Sequence, residues 1–160
     1  MTEGPALIVR VREDTDLPAV VAWAPDAEAV HLFAASSLAW PLTVQQLAEA
    51  GEAPGRTPWV LVDAANPSVP LAHADLTVWG EHARIGRVIV DPARRGRGLG
   101  RTLVRLVAEQ AAAAGCMRVD LLVIDGNTPA FRTYEGLGFV YDPASDVDGM
   151  VAMSWEPALR

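Results

Sequence analysis

The sequence predicts an α/β (α+β) domain built on one mixed sheet with helices laid against it. Three observations carry this. Apolar runs of strand length alternate with segments of helical spacing, so the two element types are interleaved. The centre, from Ala83 to Asp142, reads strand, helix, strand, helix, strand. The chain has 160 residues, the size of one domain, with no internal repeat or low-complexity tract to divide it. Residues 1–160 are therefore read as a single domain.

Taken in order, Ala6–Arg12 ends in alternation and reads as a strand. Asp14-Thr15-Asp16-Leu17-Pro18 is a helix-start signal, with an acceptor side chain just before the proline, for a helix running to about Trp23. The stretch from there to Trp40 is ambiguous. Thr43 and Gln46 have the spacing of a capping box, Leu42 and Leu47 that of the hydrophobic staple around it, and Gly51 closes this short helix. Ala53–Pro58 and Asn66–Pro70 read as loops. Trp59–Asp63, Val69–Val78 and Ala83–Val90 read as successive strands, with Trp79–His82 the turn between the second and third. From Arg97 to Ala114 the spacing is helical. Leu99, Leu103, Leu106, Val107, Ala111 and Ala114 form one stripe, Arg101, Arg105 and Glu109 another face, and Gly115 suits the end. Met117–Val123 is a strand that sets Arg118 and Asp120 against Met117, Val119 and Leu121. Thr128-Pro129 opens a short helix that Gly136 or Gly138 ends. Phe139–Asp142 and Met150–Trp155 are the last strands.

Composition narrows the function. With 51% hydrophobic and 21% charged residues the chain is not a disordered one. No apolar run approaches the ~20 residues that span a bilayer, and Met1–Pro5 shows neither a basic region nor a long apolar stretch. Neither a membrane nor a secretory signal is expected. One cysteine, Cys116, forms no internal disulfide and suits a reducing, cytoplasmic setting, where it reads as a small buried filler. His31 has no visible ligand partner, so no metal is assigned. The net charge is −7, and all 13 basic residues are arginine. Seven of them lie between Arg84 and Arg105 with a single acid, Asp91, for a local net of +6. The acidic remainder and the lack of interleaved aromatics speak against nucleic acid. One concentrated basic segment suits a single anion site.

That segment contains Val88-Ile89-Val90-Asp91-Pro92-Ala93-Arg94-Arg95-Gly96-Arg97-Gly98-Leu99-Gly100-Arg101. A strand enters a tight turn with three glycines and leaves as a helix. Alternate glycines let backbone approach a ligand closely. The first amides of the helix, with the positive end of its dipole, then converge on one spot. Arg95, Arg97 and Arg101 add full charges. The arrangement is a phosphate or pyrophosphate cradle; the plain alternative is a glycine-rich turn with surface arginines. The spacing is G-x-G-x-G, where a dinucleotide fingerprint needs G-x-G-x-x-G, and a P-loop needs a lysine that the chain lacks.

Two blocks together resemble the GNAT (GCN5-related) N-acetyltransferase superfamily. Arg95, Gly98 and Gly100 match its Arg/Gln-x-x-Gly-x-Gly/Ala loop. Asn127-Thr128-Pro129-Ala130-Phe131-Arg132-Thr133-Tyr134-Glu135-Gly136-Leu137-Gly138-Phe139 matches its Asn-x-x-Ala-x-x-x-Tyr-Glu-x-x-Gly-Phe block at every marked position. The resemblance runs from Ile85 to Phe139. From Ala6 to Gly80 the order of elements agrees and no motif does.

The resemblance implies a mostly antiparallel twisted sheet flanked by about four helices. Two central parallel strands, here Ala83–Val90 and Met117–Val123, splay apart, and the pantetheine arm of acetyl-coenzyme A fills the gap. It places Val88, Ile89 and Val90 along that arm, with their backbone N–H groups available to an oxyanion. It places Arg95, Gly96, Arg97, Gly98, Leu99, Gly100 and Arg101 at the pyrophosphate, and Asn127, Ala130 and Tyr134 on the far side. Tyr134 stands where the family's tyrosine protonates the leaving thiolate. The family's strand glutamate is missing, since Ala83–Val88 holds no acid. Glu81 is the expected base, with His82, His73 and Asp75 nearby; a water chain is the other route. An α-amino group, with pKa ~7.7–8.0, needs less help than a lysine side chain near 10.4. His73 and Asp75, two apart on one sheet face, and Trp40 are candidates to contact the acceptor.

The reading is therefore an acetyl-coenzyme A-dependent N-acetyltransferase acting on a primary amine, of a small molecule or a protein N-terminus. It needs no metal and works as a monomer or homodimer. Two alternatives stand beside it: transfer of another acyl group, or an acyl-coenzyme A-binding sensor without turnover.

Overall fold

The structure, a computed structural model, describes residues 4–35 and 37–157; Met1–Glu3, the first three residues of the Met1–Pro5 stretch, lie outside the described residues. The elements in chain order are β1 (Leu7–Val11), α1 (Leu17–Ala22), α2 (Ala27–Ala34), α3 (Val44–Ala50), β2 (Arg56–Asp63) and β3 (Ala72–Trp79). They continue with β4 (His82–Val90), α4 (Leu99–Ala113), β5 (Arg118–Ile124), α5 (Thr128–Gly136), β6 (Val140–Tyr141) and β7 (Met150–Trp155). The seven strands form one sheet in the order β1-β2-β3-β4-β5-β7-β6. Every neighbouring pair is antiparallel except β4 and β5, which run parallel.

Helices cover both faces. On one, Leu103, Val104, Val107 and Ala111 of α4 pack on Leu61, Ala74, Leu76, Ile85, Val119 and Leu121. On the other, Leu17, Val20, Val30, Phe33 and Leu47 of α1–α3 gather with Ile89. Each of the larger of these side chains, Val, Leu, Ile or Phe, contributes ~1.5–3 kcal/mol when fully buried, through the apolar area taken from water. Among the described residues, no helix is long and apolar enough to cross a membrane.

Several elements differ from the sequence reading. The ambiguous stretch holds α2: Asp26 caps it by accepting from the Ala29 N–H at 2.8 Å, and Val30, Phe33 and Ala34 face inward. β2 starts at Arg56, inside the expected loop. Pro58 is tolerated there because β1 ends beside it, at the Val11–Trp59 pair, where a missing N–H costs little. Only half of the capping box forms. Thr43 Oγ1 accepts from the Gln46 N–H at 3.1 Å, but the Gln46 side chain bonds the Ala39 N–H and the Pro41 carbonyl instead. Along α4, Val104 and Ala108 join the buried stripe, while Ala114 lies exposed beyond the last turn. On β5, Asp120 is buried with its partners Arg118 and His82, and Met117 is exposed ahead of the strand.

Candidate active site

The parallel pair β4 and β5 stays in register only from His82–Arg118 to Ile85–Leu121. Beyond that, β4 continues to Val90 and β5 to Ile124 without pairing each other. The cause is visible one strand over. His73 pairs with Ile89 but Asp75 pairs with Gly86, so two residues, Arg87 and Val88, stand against the single residue Ala74. This β-bulge turns β4 and leaves backbone groups of Val88–Val90 open toward β5. Arg87 carries the strain, at φ +48°, a region that side chains other than glycine rarely adopt.

The splay opens into a cleft of about 910 Å³. Val88, Ile89 and Val90 form one wall and Leu121–Ile124 the other. At one end lies the glycine turn. Arg95 and Gly100 reach the cleft, while Gly96, Arg97 and Gly98 are exposed beside it. Gly98, at φ +74°, opens α4 without a side-chain cap, and the first helical bond runs from the Thr102 N–H to the Gly98 carbonyl. The N–H groups of Leu99, Gly100 and Arg101 precede that bond and have no partner within the helix. A side chain at Gly100 would meet Val90 Cγ2 at 3.4 Å, which ties the turn closely to β4. Leu99 is buried as a core contact. Arg101 reaches toward α5, 3.5 Å from the Gly136 carbonyl.

The far side of the cleft is α5. Its cap Asn127 accepts from the Ala130 N–H at 3.5 Å, and Asn127, Ala130 and Tyr134, spaced three and four apart, share the cleft-facing side. Burial pushes the Tyr134 phenol up to about 12, so it holds its proton at neutral pH. The fold thus brings Val88–Val90, Arg95, Gly100, Asn127, Ala130 and Tyr134 to one cleft.

His73 and Asp75 are brought together, in a different role from contact with an acceptor. His73 is fully buried and does not line the cleft. Its Nδ1 lies 3.0 Å from the Arg87 carbonyl and its Nε2 3.0 Å from Arg12 Nη1. Both contacts are satisfied by the neutral ring that carries its proton on Nδ1: Nδ1–H donates to the carbonyl and Nε2 accepts from the guanidinium. Burial holds its pKa below the usual imidazole value. Asp75, buried at the cleft wall, accepts from Arg87 Nη1 at 2.9 Å. The two residues therefore grip the bulge residue by its carbonyl and its guanidinium.

A stability prediction follows from this. His73→Ala removes two part-buried hydrogen bonds, to the Arg87 carbonyl and from Arg12, at up to ~1–3 kcal/mol each. Because the folded pKa is depressed, the unfolded chain takes up the proton first, below pH ~6.5. The contribution of His73 is therefore complete above that pH and is lost as pH falls toward the folded value. Urea midpoints measured from pH 7 to 5 are expected to fall more steeply for the parent than for His73→Ala.

Other expected residues lie elsewhere. Glu81 is exposed in the β3–β4 turn, its carbonyl accepting from Met117 and Arg118 N–H groups. Seven residues of extended chain separate it from Val88, ~20 Å, so the structure does not bring it to the cleft as a base. Trp40 is 50% exposed ahead of α3 and does not line the cleft. Cys116 is buried, and burial raises its thiol pKa, which leaves it unreactive. Among the described residues, no group of three or more His, Cys, Asp or Glu side chains is placed to hold a metal ion. Sequence reasoning missed Phe33, Arg56, Thr77 and the start of α2, which all line the cleft.

A family model described as the acetyltransferase (GNAT) family matches residues 18–139. Over 94 residues the chain is 33% identical to streptothricin acetyltransferase of Streptomyces lavendulae, which covers 59% of this chain and 49% of that protein. Over 78 residues it is 45% identical to mycothiol acetyltransferase of Gordonia bronchialis, covering 48% of this chain and 25% of that protein. The matches thus span half or less of the length of these relatives. Among solved structures, spermidine N-acetyltransferase from Vibrio cholerae in complex with CoA and spermine superposes with a TM-score of 0.76. It covers 95% of this chain and 96% of that one at 18% identity, a likeness of fold.

Proposed function

This chain belongs to the GNAT acetyltransferase family, and from that membership we propose that it transfers an acetyl group from acetyl-coenzyme A to a primary amine. One observation supports this above the others: the unpaired edge of β4, the open start of α4 and the part-buried Tyr134 all face a single cleft.

Acetyl-coenzyme A is here a substrate. Its pantetheine arm pairs with Val88, Ile89 and Val90 between the splayed strands, with Asn127 and Ala130 across from it. Its pyrophosphate takes the amides of the turn and of the first turn of α4, Gly96 to Arg101, with Arg95, Arg97 and Arg101 supplying charge. The neutral amine attacks the thioester carbon directly. A backbone N–H of the bulged strand donates to the oxyanion, which costs no reorganisation because the bulge is already held open. The C–N bond forms and the C–S bond breaks. Tyr134 gives its proton to the departing sulfur, and the amine proton leaves to water and restores the phenol. Asp75 Oδ2 accepts from Arg87 Nη1, and we assign that proton to a water chain, so an amine of low pKa suits the site best.

The test is release of free thiol from acetyl-coenzyme A over a panel of amines. Amine-dependent release is expected; binding with no release from any amine identifies a sensor instead. The arginine cluster makes a second expectation. Coenzyme A is expected to bind at least tenfold more tightly than its phosphate-free pantetheine fragment, about 1.4 kcal/mol, with an advantage that shrinks as salt rises. Calorimetry at two ionic strengths measures both, and equal affinity for the two molecules removes the cluster from this role.

A further inference from the structure

The walls of the cleft carry opposite charge. Arg56 of β2 and Arg84 of β4 stand on the sheet wall, and Asp26 and Glu28, at the start of α2, on the helix wall. Among the described residues, no ion pair joins the two walls, and neither Arg56 nor Arg84 pairs with a carboxylate. The register sets the two arginines in one row. Arg56 pairs with Thr77, and Thr77 pairs with Arg84, so Thr77 lies between them on the same face. Arg56 is fixed in place, with Nε donating to Thr77 Oγ1 at 3.0 Å and Nη1 to the Ala50 carbonyl at 2.7 Å. Thr77 accepts that bond and keeps its own hydroxyl proton to donate. The Arg84 guanidinium lies 6.0 Å over the Trp79 ring.

Among the described residues, this row has no carboxylate in direct contact with it. Two guanidinium groups flank a hydroxyl donor, and burial, then the nearby Arg87 charge, push the Arg56 pKa down against the opposing pull of Asp75. The carboxylate in this neighbourhood, Asp75, gives its Oδ2 to Arg87 and forms no ion pair with Arg56 or Arg84. Like charges gathered on a partly buried wall are unfavourable until a counter-charge arrives. Planar forks on either side of a hydroxyl match a carboxylate, which accepts several donors in one plane.

Resting on the acetyl-transfer reading, we propose that the acceptor is an amino carboxylate: a primary amine whose carboxylate binds between Arg56 and Arg84 over Thr77. Asp26 and Glu28 attract the ammonium group from the opposite wall. The transfer step is unchanged. Arg84 lies four residues before Val88 on β4, ~13 Å along the strand, and the arginine side chains span part of that distance. The acceptor therefore separates amine and carboxylate by several bonds.

The experiment compares ω-amino carboxylates of increasing chain length with alkylamines of the same length. At the best length, kcat/KM for the carboxylate is expected to exceed that for the alkylamine by ~10-fold or more, chiefly through KM. Arg56→Gln and Arg84→Gln are each expected to shrink that ratio while coenzyme A affinity and melting temperature hold. Arg84 is exposed, so its variant stays informative if Arg56→Gln misfolds. Alkylamines used as well as the carboxylates, or variants that slow both members of a pair equally, overturn the proposal. Calorimetry of the same pairs on the coenzyme A-loaded protein reads the carboxylate site without turnover. Preferred binding of the acid with no transfer refutes the transfer reading and keeps the site; transfer with no preference for the acid does the reverse.

Discussion

Tyr134→Phe is expected to lower kcat by ~10–1000-fold while affinity for coenzyme A stays nearly level. The hydroxyl acts only when negative charge gathers on the departing sulfur, so its loss is felt in the transition state. Burial keeps the phenol protonated, with a pKa of about 12, so the parent is expected to show no loss of this donor anywhere in the neutral range. Phe keeps the ring that packs near Phe139, 6.3 Å between centroids, so the melting temperature is expected to hold. A thiolate is a good leaving group and water can partly replace the phenol, which favours the lower end of the range. Steady-state thiol release over a pH series, beside a coenzyme A titration, makes the comparison. Full kcat at every pH removes Tyr134 from the chemistry, and lost binding with normal kcat at saturation makes it a cofactor contact.

Gly98→Asp is expected to weaken coenzyme A binding by more than tenfold, over ~1.4 kcal/mol. Two effects add. A residue with a side chain at φ +74° is strained by ~1–2 kcal/mol, and a carboxylate beside the open amides of α4 repels phosphate. A Cβ at Gly98 meets nothing within 4 Å, so the fold itself has room for it. Gly98→Ala separates the two effects, because it keeps the backbone strain and adds no charge. Calorimetry on the folded variants decides: unchanged affinity in Gly98→Asp rejects the cradle.

The strand–turn–helix around Gly96–Gly100 and the Asn127–Phe139 block are legible in the amino-acid sequence because both depend on local backbone demands, glycine at positive φ and a capped short helix. The order of strands and helices from Ala83 onward is legible for the same reason. What stays hidden depends on register. The bulge at Arg87 arises from how β3 pairs with β4, and no local pattern marks it. That pairing makes His73 and Asp75 grips for the bulge, although their spacing alone suggests an acceptor contact. It also collects Arg56, Thr77 and Arg84 from three strands into one row. Helix α2 escapes because its inward residues Val30, Phe33 and Ala34 sit beside Ala29, Leu32 and Ala35, which blurs the period. The one sign present is Asp26 at its cap.

The central claim, direct transfer to an amine, is met most squarely by following the acetyl group itself. Acetyl-coenzyme A labelled with carbon-13 in the acetyl carbonyl is incubated with the protein and an accepted amine, and products are read by NMR beside intact-protein mass spectrometry. The account predicts labelled amide and free thiol in equal amounts, with no label on the protein at any time. Label found as acetate, or carried on a protein side chain before the amide appears, contradicts it.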